Sequence, residues 1–188
     1  MFHTMAEAAT AAPRVASEAE LLRAPSDGRK RELVDGEIRV SPGGARHGQV
    51  AVRLSTRLHV YASERGLGLV FDSSTGFKLP GGNVRSPDVS FVARGRFKND
   101  RPPESFADLA PDLAVEVLSP TDNPRSVLDK VGEYLQAGTR LVWVIDPAQE
   151  RAAVYRSLTT VRELLPHERL DGEEIVTGFS VTLAELLS

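Results

Sequence analysis

The sequence predicts an α/β fold: a mixed β-sheet flanked by helices, in a single domain. Three observations point there. Leu113-Ala114-Val115-Glu116-Val117-Leu118 and Leu141-Val142-Trp143-Val144-Ile145 are short runs that are apolar on both faces apart from one glutamate, the pattern of strands covered on two sides. Between them, Ser126 to Ala137 carries Val127, Leu128, Val131, Tyr134 and Leu135 at helical spacing, with Gly138 closing the segment. Strand, helix and strand at this length make a right-handed crossover between parallel neighbours. The 188 residues, 41% apolar and 26% charged, suit one well-buried core and are short for two.

The remaining elements follow in chain order. Residues 1–16 are alanine-rich without an apolar period and predict a frayed tail, leaving 17–188 as the folded domain. Ser17 with Glu20 three positions later is a capping-box pattern, opening a short helix to about Leu22 that Pro25-Ser26-Asp27-Gly28 breaks. Glu32-Leu33-Val34 and Glu37-Ile38-Arg39-Val40 flank Asp35-Gly36, a hairpin signal because both turn residues tolerate positive φ. Val50, Leu54, Leu58 and Tyr61 give an amphipathic helix from His47 to Glu64, stopped at Gly66. Leu67 to Leu79 reads as two strands around a turn at Ser73–Gly76. Pro87 to Val92 is a further strand, with Val89 and Phe91 on one face and Asp88 and Ser90 on the other. A long polar connection from Arg94 to Pro111 is expected to hold a helical turn near Phe106. Val154-Tyr155 and Glu174-Ile175-Val176 are expected as outer antiparallel strands, and Leu183–Leu187 as a terminal helical turn.

Composition restricts the chemistry. With no cysteine, disulfides and thiolate metal sites are excluded, so a metal must sit on oxygen or histidine ligands, which favours Mg2+ or Mn2+. No apolar run approaches a membrane span and no leader pattern opens the chain, so no membrane partner and a cytoplasmic location are expected. The net charge of −3 argues against a protein that coats duplex DNA through phosphates alone. Charge is uneven, however: from Arg85 to Arg101 five basic residues face two acidic ones. Arg94, Arg96 and Lys98 are the candidates there for contact with a polyanion, although a charge run is also what a solvated surface looks like.

Glu116 is the most informative single residue. A lone carboxylate inside an apolar strand is costly without a partner, so it marks either a structural ion pair, a strand end that meets water, or a site. Asp88 opens its strand after Pro87, where it is either a turn or cap residue or a side chain projecting over the sheet's end. Two carboxylates on adjacent strands form a hard-cation site, to which the Val117 carbonyl can add a third oxygen. Lys130 flanks the apolar stripe of its helix, away from the solvent side assigned to Asp129 and Glu133, and its stem can carry the ammonium to Glu116. It is either an ion-pair partner or a group that orients water and stabilises charge. His47, on the stripe of Val50 and Leu54, is a cap, a core-edge hydrogen bonder or a phosphate contact. Asp146 before Pro147 reads as a turn residue and Trp143 as core.

Taken together, Glu32-Leu33-Val34-Asp35-Gly36, His47, Pro87-Asp88-Val89-Ser90-Phe91-Val92, Val115-Glu116-Val117-Leu118-Ser119-Pro120, Asp129-Lys130 with Tyr134, and Leu141-Val142-Trp143-Val144-Ile145-Asp146-Pro147 resemble one family. It is the Uma-type family of putative restriction endonucleases in the PD-(D/E)XK nuclease superfamily, abundant in cyanobacteria and other bacteria. The resemblance runs from about Ser17 to Tyr155. It implies a restriction-endonuclease-like fold with Asp88 and Glu116 as metal ligands. The superfamily's usual lysine, two positions after the glutamate, is Leu118 here, and the resemblance moves that role to Lys130. Glu32 matches the family's additional acidic residue; by itself it also fits a surface strand.

The expected function is therefore magnesium- or manganese-dependent hydrolysis of nucleic-acid phosphodiester bonds, with DNA the expected substrate. Cleavage of both strands of a duplex would bring two sites together, so a homodimer is the expected assembly. A different class remains open: a catalytically silent nuclease-fold binding or assembly module with a structural Glu116–Lys130 pair. Hydrolysis of a small phosphoester is a third option.

Overall fold

A computed structural model describes residues 15–25, 27–41 and 43–188. Most of the expected N-terminal tail thus lies outside the described residues. Ala16 is already tied down, its N–H donating to the Gly36 carbonyl at 2.7 Å.

Helix α1 (Glu18–Leu22) opens with the capping box: the Glu20 N–H donates to the Ser17 hydroxyl, and the Ser17 N–H donates to the Glu20 carboxylate. Strands β1 (Lys30–Val34) and β2 (Glu37–Ser41) form the hairpin, with φ of 51° at Asp35 and 76° at Gly36. Helix α2 (Ala45–Glu64) buries Val50, Leu54, Leu58 and Ala62. Next come β3 (Gly68–Asp72), β4 (Phe77–Lys78), β5 (Val84–Arg85) and β6 (Val89–Ala93). The crossover follows as expected: β7 (Leu113–Val117), α3 (Pro124–Gln136) and β8 (Leu141–Asp146), with β7 and β8 parallel. The C-terminal part adds β9 (Arg151–Ser157), β10 (Thr160–Leu164), β11 (Arg169–Asp171), β12 (Ser180–Thr182) and α4 (Leu183–Leu187).

Six strands form one mixed sheet in the order β10-β9-β8-β7-β6-β3, four form another in the order β2-β1-β5-β4, and β11 pairs with β12. The central strand β7 is buried on both faces. Leu113, Val115 and Val117 pack with α2 and the C-terminal segment, and Ala114 faces the core beneath Val131 and Tyr134 of α3. Alternation therefore turns Glu116 toward α3. Trp143 is fully buried and stacks on Phe179. Asp146 accepts from the N–H groups of Ala148 and Gln149, a turn.

Several expectations are corrected. The two strands and turn expected in 67–79 form as β3 and β4, but in different sheets: β3 joins β6 and β4 joins β5, because the turn carries the chain from one sheet to the other. Glu174–Val176 is not a strand. The N–H groups of Ile175 and Val176 both donate to the Gly172 carbonyl, so these residues enter the core from a turn between β11 and β12. No helical turn forms at Phe106, since Ala107 bridges to Phe77 in extended form; the short 3-10 turn lies at Lys98–Asp100. Leu128 is 48% exposed, because α3 turns Val131 and Tyr134 inward.

Candidate active site

Asp88 stands one residue before β6. Its N–H donates to the Val115 carbonyl at 2.9 Å, and Val89 pairs with Val115 in antiparallel register. Continuing that register by one step sets Asp88 directly opposite Glu116, so both side chains leave the same face at the same end of the sheet. Both are buried.

Their contacts form one network. Asp88 Oδ1 accepts from Lys30 Nζ at 2.8 Å, and Oδ2 accepts from the Val117 N–H at 2.8 Å and lies 3.0 Å from His47 Nε2. Glu116 Oε2 is 3.1 Å from Lys130 Nζ and 3.8 Å from Lys30 Nζ, while Oε1 accepts from the Tyr134 hydroxyl at 2.8 Å. Lys130 also reaches Glu32 Oε2 at 3.4 Å. Glu32 in turn accepts from the Ser86 N–H at 2.9 Å and pairs with Arg85 at 3.3 Å. Arg85 forks onto Glu133 through Nε at 2.8 Å and Nη2 at 2.5 Å. In a strand the N–H and C=O of one residue point to the same edge. The Val117 carbonyl therefore faces the Asp88 side with its N–H.

Electrostatics follow from burial and pairing. Burial would raise the Asp88 carboxyl, but His47 and Lys30 outweigh it and hold Asp88 well below the usual carboxylate range. Burial pushes the Glu116 carboxyl up, against the pull of the Lys30 and Lys130 ammoniums. Burial would lower Lys130, yet Glu116 and Glu32 outweigh it and raise the ammonium above its ordinary value. The Asp88 hydrogen bond raises the His47 imidazole.

Space at the site is divided. A recess of about 40 Å³ is lined by Lys30, His47, Asp88, Glu116, Val117 and Lys130, among others. A cavity of about 230 Å³ shares Glu116, Val117 and Lys130 with it on the α3 side, and a cleft of about 710 Å³ shares Lys30, His47 and Asp88 on the α2 side.

The sequence pattern of the Uma2 family, described as a putative restriction endonuclease, matches residues 18–184. The chain belongs to that family. The match spans every member of the network, from Lys30 to Tyr134. Among solved structures the chain resembles a putative nuclease belonging to DUF820 from Anabaena variabilis ATCC 29413, with a TM-score of 0.79 and 20% identity over 91% of this chain and 97% of that one. At that identity the likeness is one of fold. No curated protein matches the chain.

The five side chains expected at a Uma2 site from the sequence, Glu32, His47, Asp88, Glu116 and Lys130, are brought together. Arg94, Arg96 and Lys98 are not: they follow the end of β6 opposite Asp88. Arg94 pairs there with Asp100 at 3.4 Å and Arg96 with Asp112 at 3.0 Å. Arg85, counted with that basic stretch in the sequence, is buried inside the network instead. Glu133 is likewise not on the solvent side of α3, because Arg85 draws it inward. Sequence reasoning missed Lys30 altogether, and gave Tyr134 a place in the buried stripe and the motif but no role at the site. The one available signal was alternation in β1, which places Lys30 on the same face as Glu32.

Proposed function

We propose that the chain hydrolyses phosphodiester bonds of nucleic acid, DNA in the first instance, with a divalent cation held by Asp88, Glu116 and the Val117 carbonyl. The observation that carries this reading is the convergence of Asp88 Oδ1 and Glu116 Oε2 on a single positive centre, the Lys30 ammonium, 2.8 and 3.8 Å away. Oxygens arranged around one cation suit a hard ion such as Mg2+ or Mn2+. The described residues hold no ready-made cage of three or more His, Asp or Glu side chains. Two carboxylates, a backbone carbonyl and solvent are nonetheless a donor set that such an ion accepts. When bound, it would supply Lewis-acid polarisation of the phosphodiester and a lowered pKa for an attacking water.

The chain's own groups do the rest. Lys130 presents an ammonium at the edge of the recess, positioned by Glu116 and Glu32, where it can offset negative charge building on the phosphoryl oxygens. Glu32 holds Lys130 in place and is itself fixed by the Ser86 N–H and Arg85. His47 fixes the Asp88 carboxylate from the α2 side.

A second reading is a nuclease-fold binding module without turnover, favoured by the Lys30 ammonium already balancing both carboxylates. Cleavage assays decide. With Mg2+ or Mn2+ the wild type is expected to cut DNA, and Asp88→Asn, Glu116→Gln and Lys130→Met to lose most of that cutting. Variants that cut as fast as wild type would remove these residues from the chemistry. A wild type that cuts neither DNA nor RNA with either ion leaves the binding module standing.

A further inference from the structure

Strand β1 begins at Lys30, a residue that the metal-dependent reading leaves without a task. Its ammonium lies between the two carboxylates proposed to hold the ion. Oxygen ligands bind Mg2+ at about 2.0–2.1 Å and Ca2+ at about 2.3–2.6 Å. An ion drawing on both Asp88 and Glu116 would thus claim the ammonium's own position. The recess measures only about 40 Å³, so an ion and the ammonium held in it together would be close neighbours. Two cations crowded there would also repel each other with little solvent to screen them.

Lys130 does not face the same conflict. It keeps Glu32 as a partner at 3.4 Å if Glu116 turns to an ion. Lys30 pairs instead with the two proposed ligands themselves. It also lines the 710 Å³ cleft, so its four-carbon stem has open space into which to swing.

We infer that Lys30 is the site's built-in counter-cation, and that a divalent ion enters by displacing its ammonium from between Asp88 and Glu116. The inference rests on the metal-dependent reading above. It gives the ion-free protein a way to hold two facing carboxylates buried together, and it makes the ion compete with a side chain for its place.

Calorimetric titration with manganese chloride tests this on wild type, Lys30→Met, Glu116→Gln and the double variant. Lys30→Met is expected to bind Mn2+ at least about tenfold tighter than wild type, because a like charge has left the recess. Glu116→Gln is expected to abolish binding in either background. If wild type binds through Glu116 but Lys30→Met binds no tighter, the displacement is wrong and the metal-dependent reading survives. If neither wild type nor Lys30→Met binds Mn2+, both fall. Should Lys30→Met fail to fold, the wild type still answers. Acetylation of Lys30 by acetic anhydride, followed by peptide mass spectrometry, is expected to be several-fold faster at saturating Mn2+ than in EDTA. An unchanged or slower rate overturns the inference.

Discussion

Glu116 is accommodated in a buried strand because donors reach both of its oxygens: Lys130 and Lys30 at Oε2 and the Tyr134 hydroxyl at Oε1. Removing the hydroxyl leaves a buried carboxylate oxygen short of a partner. Tyr134→Phe is therefore expected to cost about 1–3 kcal/mol in urea unfolding. A variant as stable as wild type would mean that water replaces the hydroxyl. His47 gives a pH signature in the ion-free protein. Its folded pKa is raised above the ordinary value of 6.5 by the Asp88 hydrogen bond. The stability it contributes is thus fully present below about pH 6.5 and lost as pH rises through the raised value. Asp88, whose pKa is depressed, contributes stability that is present above about pH 4 and lost as pH falls further. Urea midpoints in EDTA should fall as pH rises above about 6.5 for wild type and stay flatter for His47→Gln; equal slopes would dismiss the pair. Glu116 was legible in the sequence because a charge inside an apolar strand is anomalous, and Asp88 because it opens a strand directly after Pro87. Lys30 and Arg85 were not, because a cation in a polar hairpin or beside a basic run looks like surface until the chain brings carboxylates to it.

At the scale of elements, the hairpin is the delivery device for two members of the network. Alternation along β1 sends Lys30 and Glu32 to one face, and the two-residue turn fixes the register that keeps them there. Gly36 sits at φ 76°, and a Cβ there would come within 2.5 Å of Val15 Cγ1. Gly36→Val is expected to destabilise the protein by at least about 1–2 kcal/mol from the left-handed backbone alone. It should also weaken Mn2+ binding, although residue 36 lies outside the network. Calorimetry and urea unfolding on this variant check both; a destabilised protein with unchanged ion affinity would separate the hairpin from the site. The hairpin, α2 and the β7–α3–β8 crossover were legible because each carries a local period or turn code. The two-residue β5 was not, since Val84-Arg85 is too short to alternate. Ile175-Val176 has strand composition, but its backbone closes locally on Gly172.

Across the whole molecule, the network doubles as the seam between the two larger sheets. The six-stranded sheet rests on extensive apolar clusters on both faces, whereas the hairpin sheet has a small one of its own around Leu21, Leu33 and Val84. Phe77 of β4 anchors the hairpin sheet in the larger cluster, and ion pairs join β1 and β5 to the rest: Lys30 to Asp88, Glu32 to Lys130, and Arg85 to Glu133. Sequence reading could find the crossover, which is local in the chain, but not this seam, whose pairs join residues 48 or more positions apart. Arg85 is its keystone, since it is the one cation among the described residues that pairs with both Glu32 and Glu133. Replacing it with an apolar side chain of similar length takes the guanidinium from both, leaving Glu32 only Lys130 and the Ser86 N–H and leaving Glu133 the Asn83 amide, and removing one partner of a buried pair typically costs about 3–5 kcal/mol. Arg85→Met is therefore expected to lose about that much stability, and to lose it unevenly. In hydrogen exchange read by mass spectrometry, amides of β1, β2 and β5 should exchange faster while those of β7 and β8, deep in the apolar clusters, keep their protection. Uniform loss across both sheets would show a single cooperative unit in which the seam has no separate role. Unchanged protection would show that the small apolar cluster suffices to hold the hairpin sheet in place without the ions.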